Sequence, residues 1–145
     1  MDESSIVKYL TENFPGVDAV TADGNYFFFY DPDRSAAPDR RFPFVTLVTN
    51  DKYDQASNLD RPGVFRLNIG VSKATYESLF GAQPARPGPS DMVDAGRDFA
   101  ALDQIMPHPI YATMFWICVL SPSAATFDKI RPLLAEAYHR AARER

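Results

Sequence analysis

Val64-Phe65-Arg66-Leu67-Asn68-Ile69-Gly70-Val71 carries the reading that decides the fold. Phe65, Leu67, Ile69 and Val71 recur at every second position, with Arg66 and Asn68 between them. Side chains of an extended chain point alternately to opposite faces, so this stretch predicts a strand with one apolar face and one face interrupted by polar groups. A helix follows at once. Ser72 is a suitable N-cap for 73–80, Val71 and Tyr76 are spaced as a hydrophobic staple, and Gly81 suits a left-handed exit.

Working back toward the N-terminus, the loop from Asn50 to Gly63 carries Asp51, Tyr53, Asp54, Asp60 and Arg61. Phe44 to Thr49 alternates in a β-branched pattern and predicts another strand. Asp31 to Arg41 holds two prolines and no hydrophobic period, so it reads as a loop. Tyr26 to Tyr30 places large apolar groups on both faces, the pattern of a central strand covered on both sides. Val17 to Thr21 is its partner, because Asp23-Gly24 tolerates the positive φ angles of a tight hairpin turn. Ile6, Val7, Leu10 and Phe14 mark an amphipathic helix from Glu3 to Phe14, capped by Asp2 and stopped by Pro15-Gly16.

Toward the C-terminus, prolines, glycines and small residues dominate about 82–97, predicting a flexible excursion within one domain. Phe99 to Met106 fits a single helical turn opened by Asp98 or Asp103, and Pro107-His108-Pro109 is turn-like or extended. Ala112 to Leu120 reads as a buried last strand. Ser121 then caps a final helix with Pro122 at its first position, and Phe127, Ile130, Leu134, Ala137, Tyr138 and Ala141 form its apolar stripe. Pro132 is expected to kink or split that helix. The order of elements predicts a single α+β domain over residues 1–145, a mainly antiparallel β-sheet flanked by N-terminal, middle and C-terminal helices.

Composition narrows the function. A net charge of −4 disfavours nucleic acid and anionic membranes as partners, since such binders carry surplus Lys and Arg. Cys118 is the single cysteine and lies in an apolar run, so no internal disulfide forms. The acidic, polar N-terminus and the lack of a long apolar run lead us to expect a cytoplasmic protein with no membrane contact. Phosphate-cradling glycine loops, dinucleotide turns and paired-histidine zinc helices are absent from the sequence. Two histidines and one cysteine argue against a soft metal site, and no metal or cofactor is expected.

Three groupings remain. Arg61, Arg66 and Asn68 offer donors in a row that could bind a carboxylate or phosphate, or pair internally with Asp51, Asp54 or Asp60. His108, held between prolines with Asp103 upstream and Tyr111 downstream, is a weak catalytic candidate as a general base oriented by a carboxylate; its alternative is a histidine bonded to loop backbone. Arg34, Arg40 and Arg41, followed by Phe42 and Phe44, could contact nucleic acid, or be solvated arginines balanced by Asp31, Asp33 and Asp39.

Several of these segments, taken together, resemble an uncharacterised bacterial family, domain of unknown function 6194. They are Phe27-Phe28-Phe29-Tyr30-Asp31-Pro32, Asp39-Arg40-Arg41-Phe42-Pro43-Phe44, Leu59 to Gly70, Met106-Pro107-His108-Pro109-Ile110-Tyr111, and Ser121-Pro122-Ser123. That resemblance implies no activity and no catalytic residues. More distantly, the order of helix, antiparallel sheet and terminal helix is similar to the MmcQ/YjbR-like proteins, which implies a double-wing shape and nucleic-acid binding. The leading expectation from the residues is a non-catalytic domain that holds a small anionic or aromatic ligand. Its site would be Arg61, Arg66, Asn68, His108, Tyr111 and Trp116 on the polar sheet face. The alternatives are a nucleic-acid or protein-interaction module on the Arg34 to Phe44 loop and an acid/base enzyme using His108 and Asp103. A homodimer is left open.

Overall fold

Asp23 and Gly24 both take positive φ, 56° and 81°, which closes a two-residue hairpin between β1 (Val17–Ala22) and β2 (Asn25–Tyr30). The computed structural model describes residues 1–33, 41–82 and 97–144. Further strands are β3 (Val45–Val48), β4 (Arg66–Gly70), β5 (Met106–Pro107) and β6 (Trp116–Leu120). They form one six-stranded sheet in the order β1-β2-β3-β4-β6-β5, antiparallel at every step. With the helices α1 (Glu3–Asn13), α2 (Lys73–Phe80) and α3 (Ala124–Glu144) the chain is an α+β domain. Most of the Pro/Gly-rich stretch expected as an excursion, and residues 34–40 of the arginine loop, lie outside the described residues.

One face of the sheet makes the core. Phe28, Leu47, Leu67, Ile69, Ile117 and Val119 are buried there with Ile6 and Leu10 of α1 and Phe127, Ile130, Leu134 and Ala137 of α3. Each of the larger side chains, the Phe, Leu, Ile and Val residues, contributes about 1.5–3 kcal/mol. Tyr138 gathers Phe14, Tyr30 and Phe44 around its ring and donates its hydroxyl to the Pro15 carbonyl, tying α3 to the exit of α1. Asp2 and Ser72 cap α1 and α2 as expected, accepting from the amides of Ser5 and Thr75.

The structure departs from the sequence reading at four places. The segment expected as the start of the last strand, from Ala112, is a 3-10 turn over Tyr111–Met114, and β6 begins only at Trp116. Phe115 adopts φ 65° there, a left-handed residue that ends the turn and aims the chain into the sheet. The cap of α3 is Ser123, not Ser121: its hydroxyl accepts from Thr126 N–H, while Ser121 sits at φ 40° with its amide on the Phe65 carbonyl. Pro132 does not split α3, which runs unbroken for 21 residues; the lost bond falls on an exposed turn while the apolar stripe stays buried. Finally, β2 lies inside the sheet, but among the described residues only its core face is covered by helices. Phe27 and Phe29 are half-buried, shielded by an edge contact from Tyr53 at 6.0 Å and by the Arg41 guanidinium 4.0 Å over the ring.

Candidate functional site

The polar face follows from the strand register. Thr46, Asn68, Cys118 and Met106 lie in one cross-strand row, Val48, Arg66 and Leu120 in the next, and Gly70 with Trp116 in the row on the other side. The His108 amide donates to the Trp116 carbonyl at 3.0 Å, which carries that last row onto the segment following β5.

Arg66 is 1% exposed, and each guanidinium nitrogen has a partner. Its Nη1 and Nη2 donate to the two carboxylate oxygens of Asp54 at 3.0 and 2.8 Å, Nη1 also reaches Ser57 Oγ at 3.0 Å, and Nε reaches Asn68 Oδ1 at 2.9 Å. Asn68 in turn donates to Thr46 Oγ1 at 2.9 Å. A buried guanidinium requires such a set, because desolvating the charge without a counter-ion is prohibitive. Burial pushes the Asp54 carboxyl up, but the hydrogen bonds and charge of Arg66 outweigh it and hold the group below its usual range. Of the three aspartates offered by the sequence, Asp54 is the counter-ion; Asp51 and Asp60 instead accept the Leu59 and Asp51 amides and shape the loop.

Arg61 stands apart from this network. It donates to the carbonyls of Asn58, Ser57 and Ala100, stapling the base of the 50–63 loop to the segment before β5. Asp103 is exposed and accepts the Ser123 amide at 2.7 Å at the start of α3, which lowers its pKa. It does not orient His108.

His108 is 2% exposed. Its Nδ1 accepts from the amides of both Ile110 and Tyr111 at 3.0 Å, so that nitrogen is unprotonated and the proton resides on Nε2. Burial, reinforced by the Arg66 charge and only partly opposed by Asp54, holds the imidazole well below its ordinary pKa of 6.5. No described residue accepts from Nε2. The Tyr111 ring, half exposed, lies 5.0 Å from the imidazole. Trp116 is half-buried, its indole lying over Gly70 so closely that a Cβ there would stand 3.0 Å from Cε2. Cys118 is buried in the same face, its thiol pushed up to about 12 by burial, and is inert at neutral pH.

The structure thus brings Arg66, Asn68, His108, Tyr111 and Trp116 to one face and leaves Arg61 and Asp103 elsewhere. Sequence reasoning had no signal for Ser57, Thr46 or Asp18; it named Asp31 as a balance for the loop arginines, and Arg41 does pair with Asp31 at 3.0 Å, but also with Asp18 at 2.7 Å and as a largely buried group instead of a solvated one. These contacts join segments far apart in the chain, and no local pattern encodes them.

The chain belongs to a family of unknown function, DUF6194, whose model matches residues 1–145. No curated protein and no solved structure matches the chain.

Proposed function

We propose that this domain is a non-catalytic binder of a small, planar, uncharged ligand, held where His108, Tyr111 and Trp116 meet at the β5/β6 end of the polar face. One observation carries the reading: an imidazole in a largely buried residue whose tautomer is set by two backbone amides, so that Nε2–H makes no hydrogen bond to a described residue and stands free to donate. A ligand carbonyl or ring nitrogen would accept from that donor at the edge of an apolar, aromatic surface. Tyr111 and Trp116 supply aromatic surface for a flat ring beside it. Arg66 does not contact the ligand in this reading. Four of its five N–H groups are engaged and its charge is balanced by Asp54, which favours an uncharged aromatic over an anion.

The same geometry favours binding over acid/base catalysis. A general base needs a free lone pair, and that of His108 is already taken by two N–H groups. Trp116 is the single tryptophan of the chain, so its emission reports on this site alone. Titrating a panel of aromatic lactams, nucleobases and benzoates against tryptophan fluorescence is expected to give saturable quenching by the uncharged members. His108→Asn keeps an oxygen near the Nδ1 position for the two amides but removes the Nε2 donor. It is expected to weaken binding about five- to tenfold with the fold retained. Equal affinity for wild type and His108→Asn, or a preference for the benzoates, would refute the proposal.

A further inference from the structure

The two ends of the sheet are unlike. At one end β5 is two residues long and includes Pro107, which has no backbone donor. At the other, β1 runs Val17-Asp18-Ala19-Val20-Thr21-Ala22, pairs with β2 along its whole length without a bulge, and is exposed from Ala19 onward. It carries no proline, no lysine and no bulge, and its one charged residue, Asp18, is paired with Arg41.

The hairpin fixes which of its backbone groups face outward. Ala22 and Asn25 flank the two-residue turn and form the closing hydrogen-bonded pair, so Ala22, Val20 and Asp18 turn their amides and carbonyls toward β2. The Asp31 amide on the Gly16 carbonyl, at 2.9 Å, continues the same alternation. Val17, Ala19 and Thr21 therefore turn theirs away from the sheet, and no described residue makes a backbone hydrogen bond to them.

We infer that β1 pairs with β1 of a second copy of this chain, antiparallel about a two-fold axis at Ala19, to give one continuous sheet across a homodimer. Three features select this occupant and register. Pairing of like edges closes on itself, whereas pairing of β1 with the β5 edge would propagate as a filament and meets a proline. The axis at Ala19 sets Val17 against the partner's Thr21 and Ala19 against the partner's Ala19, which uses every outward group on both strands. The neighbouring register, centred on Asp18, would place two carboxylates directly opposite and leave Thr21 unpaired. At Ala19, Asp18 instead faces the partner's Val20 and keeps its own Arg41.

Sedimentation equilibrium of the full chain over a concentration series is expected to move from one chain mass to two and to stop there. Ala19→Pro removes one outward donor without touching the β2 side, and is expected to hold the mass at one chain with an unchanged circular dichroism spectrum. A nitroxide on Ala19→Cys, with Cys118 buried and unlabelled, is expected to show strong dipolar broadening at dimeric concentrations. That measurement decides the matter if the proline variant does not fold. A single-chain mass throughout, growth beyond two chains, a dimer indifferent to a folded Ala19→Pro, or a dimer without broadening would each overturn the inference.

Discussion

Removing Asp54 is expected to harm this fold more than removing Arg66, although the two residues share the same pair of hydrogen bonds. Asp54→Ala takes away both oxygens that receive Arg66 and leaves a guanidinium that is 1% exposed, with only the neutral Ser57 and Asn68 oxygens as partners. An uncompensated buried charge costs about 3–5 kcal/mol. Arg66→Met removes the charge and keeps most of the volume. The Asp54 side chain, 14% exposed, can then take up water, so the cost is nearer that of orphaned neutral groups, about 1–3 kcal/mol. The double variant lacks the stranded charge and is expected to be more stable than Asp54→Ala alone. Urea unfolding followed by Trp116 emission, at constant m value, reads all three. At about 3 °C per kcal/mol, Asp54→Ala should melt about 10–15 °C low. Acid sharpens the comparison. Arg66 holds the folded-state carboxyl below its ordinary 3.8, so the pair contributes fully above about pH 4 and is lost as pH falls through the folded value. The double variant should therefore lose less stability on the acid limb than wild type. Arg66→Met proving the more damaging substitution, or Asp54→Ala costing under about 1 kcal/mol, would refute the reasoning.

Two further outcomes follow from the same face. Burial and the Arg66 charge depress the pKa of His108 in the folded state, so below its ordinary 6.5 the unfolded chain binds a proton that the folded chain resists. Stability is then complete above about pH 7 and falls toward pH 5 by up to about 1.4 kcal/mol per unit, a slope that His108→Asn should remove in a pH series of urea titrations. Gly70→Ala sets a Cβ 3.0 Å from Trp116 Cε2 and must displace the indole. It should cost about 1–3 kcal/mol and shift tryptophan emission to the red, and an unchanged spectrum would show that the ring does not depend on the bare glycine.

Elements governed by local rules were legible in the sequence. The alternation over Val64 to Val71, the Asp23-Gly24 turn and the Asp2 and Ser72 caps depend on residues a few positions apart, and the structure has each where the pattern puts it. The failures share a cause. Tyr111 to Met114 is apolar enough for a strand, but the His108 imidazole accepts the amides of Ile110 and Tyr111, which are then unavailable to a sheet ladder, and the chain coils instead. Ser121 looks like a cap beside Pro122, yet its hydroxyl accepts the Phe65 amide at 3.3 Å while its own amide goes to the Phe65 carbonyl, so capping passes to Ser123. For the site, Arg66 and Asn68 were visible as polar interruptions and Asp54 stood among the three aspartates weighed as internal partners, but the choice of Asp54 and the engagement of Ser57 and Thr46 were not legible. A loop's approach to a sheet is set by tertiary contact and leaves no period in the sequence.

That engagement bears on where a ligand would fit. Arg66 draws Asp54 and Ser57 onto the sheet from beneath, and Arg61 fastens the base of the same loop to the Ala100 carbonyl. Tyr53 meanwhile packs against Phe27 and donates its hydroxyl to Asp23 at 2.9 Å. The 50–63 loop is thus fixed over the β2 to β4 part of the polar face by contacts that, with Asn68, take up four of the five N–H groups of Arg66. Toward the β5/β6 end, Trp116 lies over Gly70 and His108 Nε2 has no partner among the described residues. In the proposed function, the arginine that first marked this face as polar would therefore act indirectly: it secures the covering loop, and its field helps keep the neighbouring imidazole neutral and its Nε2 a donor.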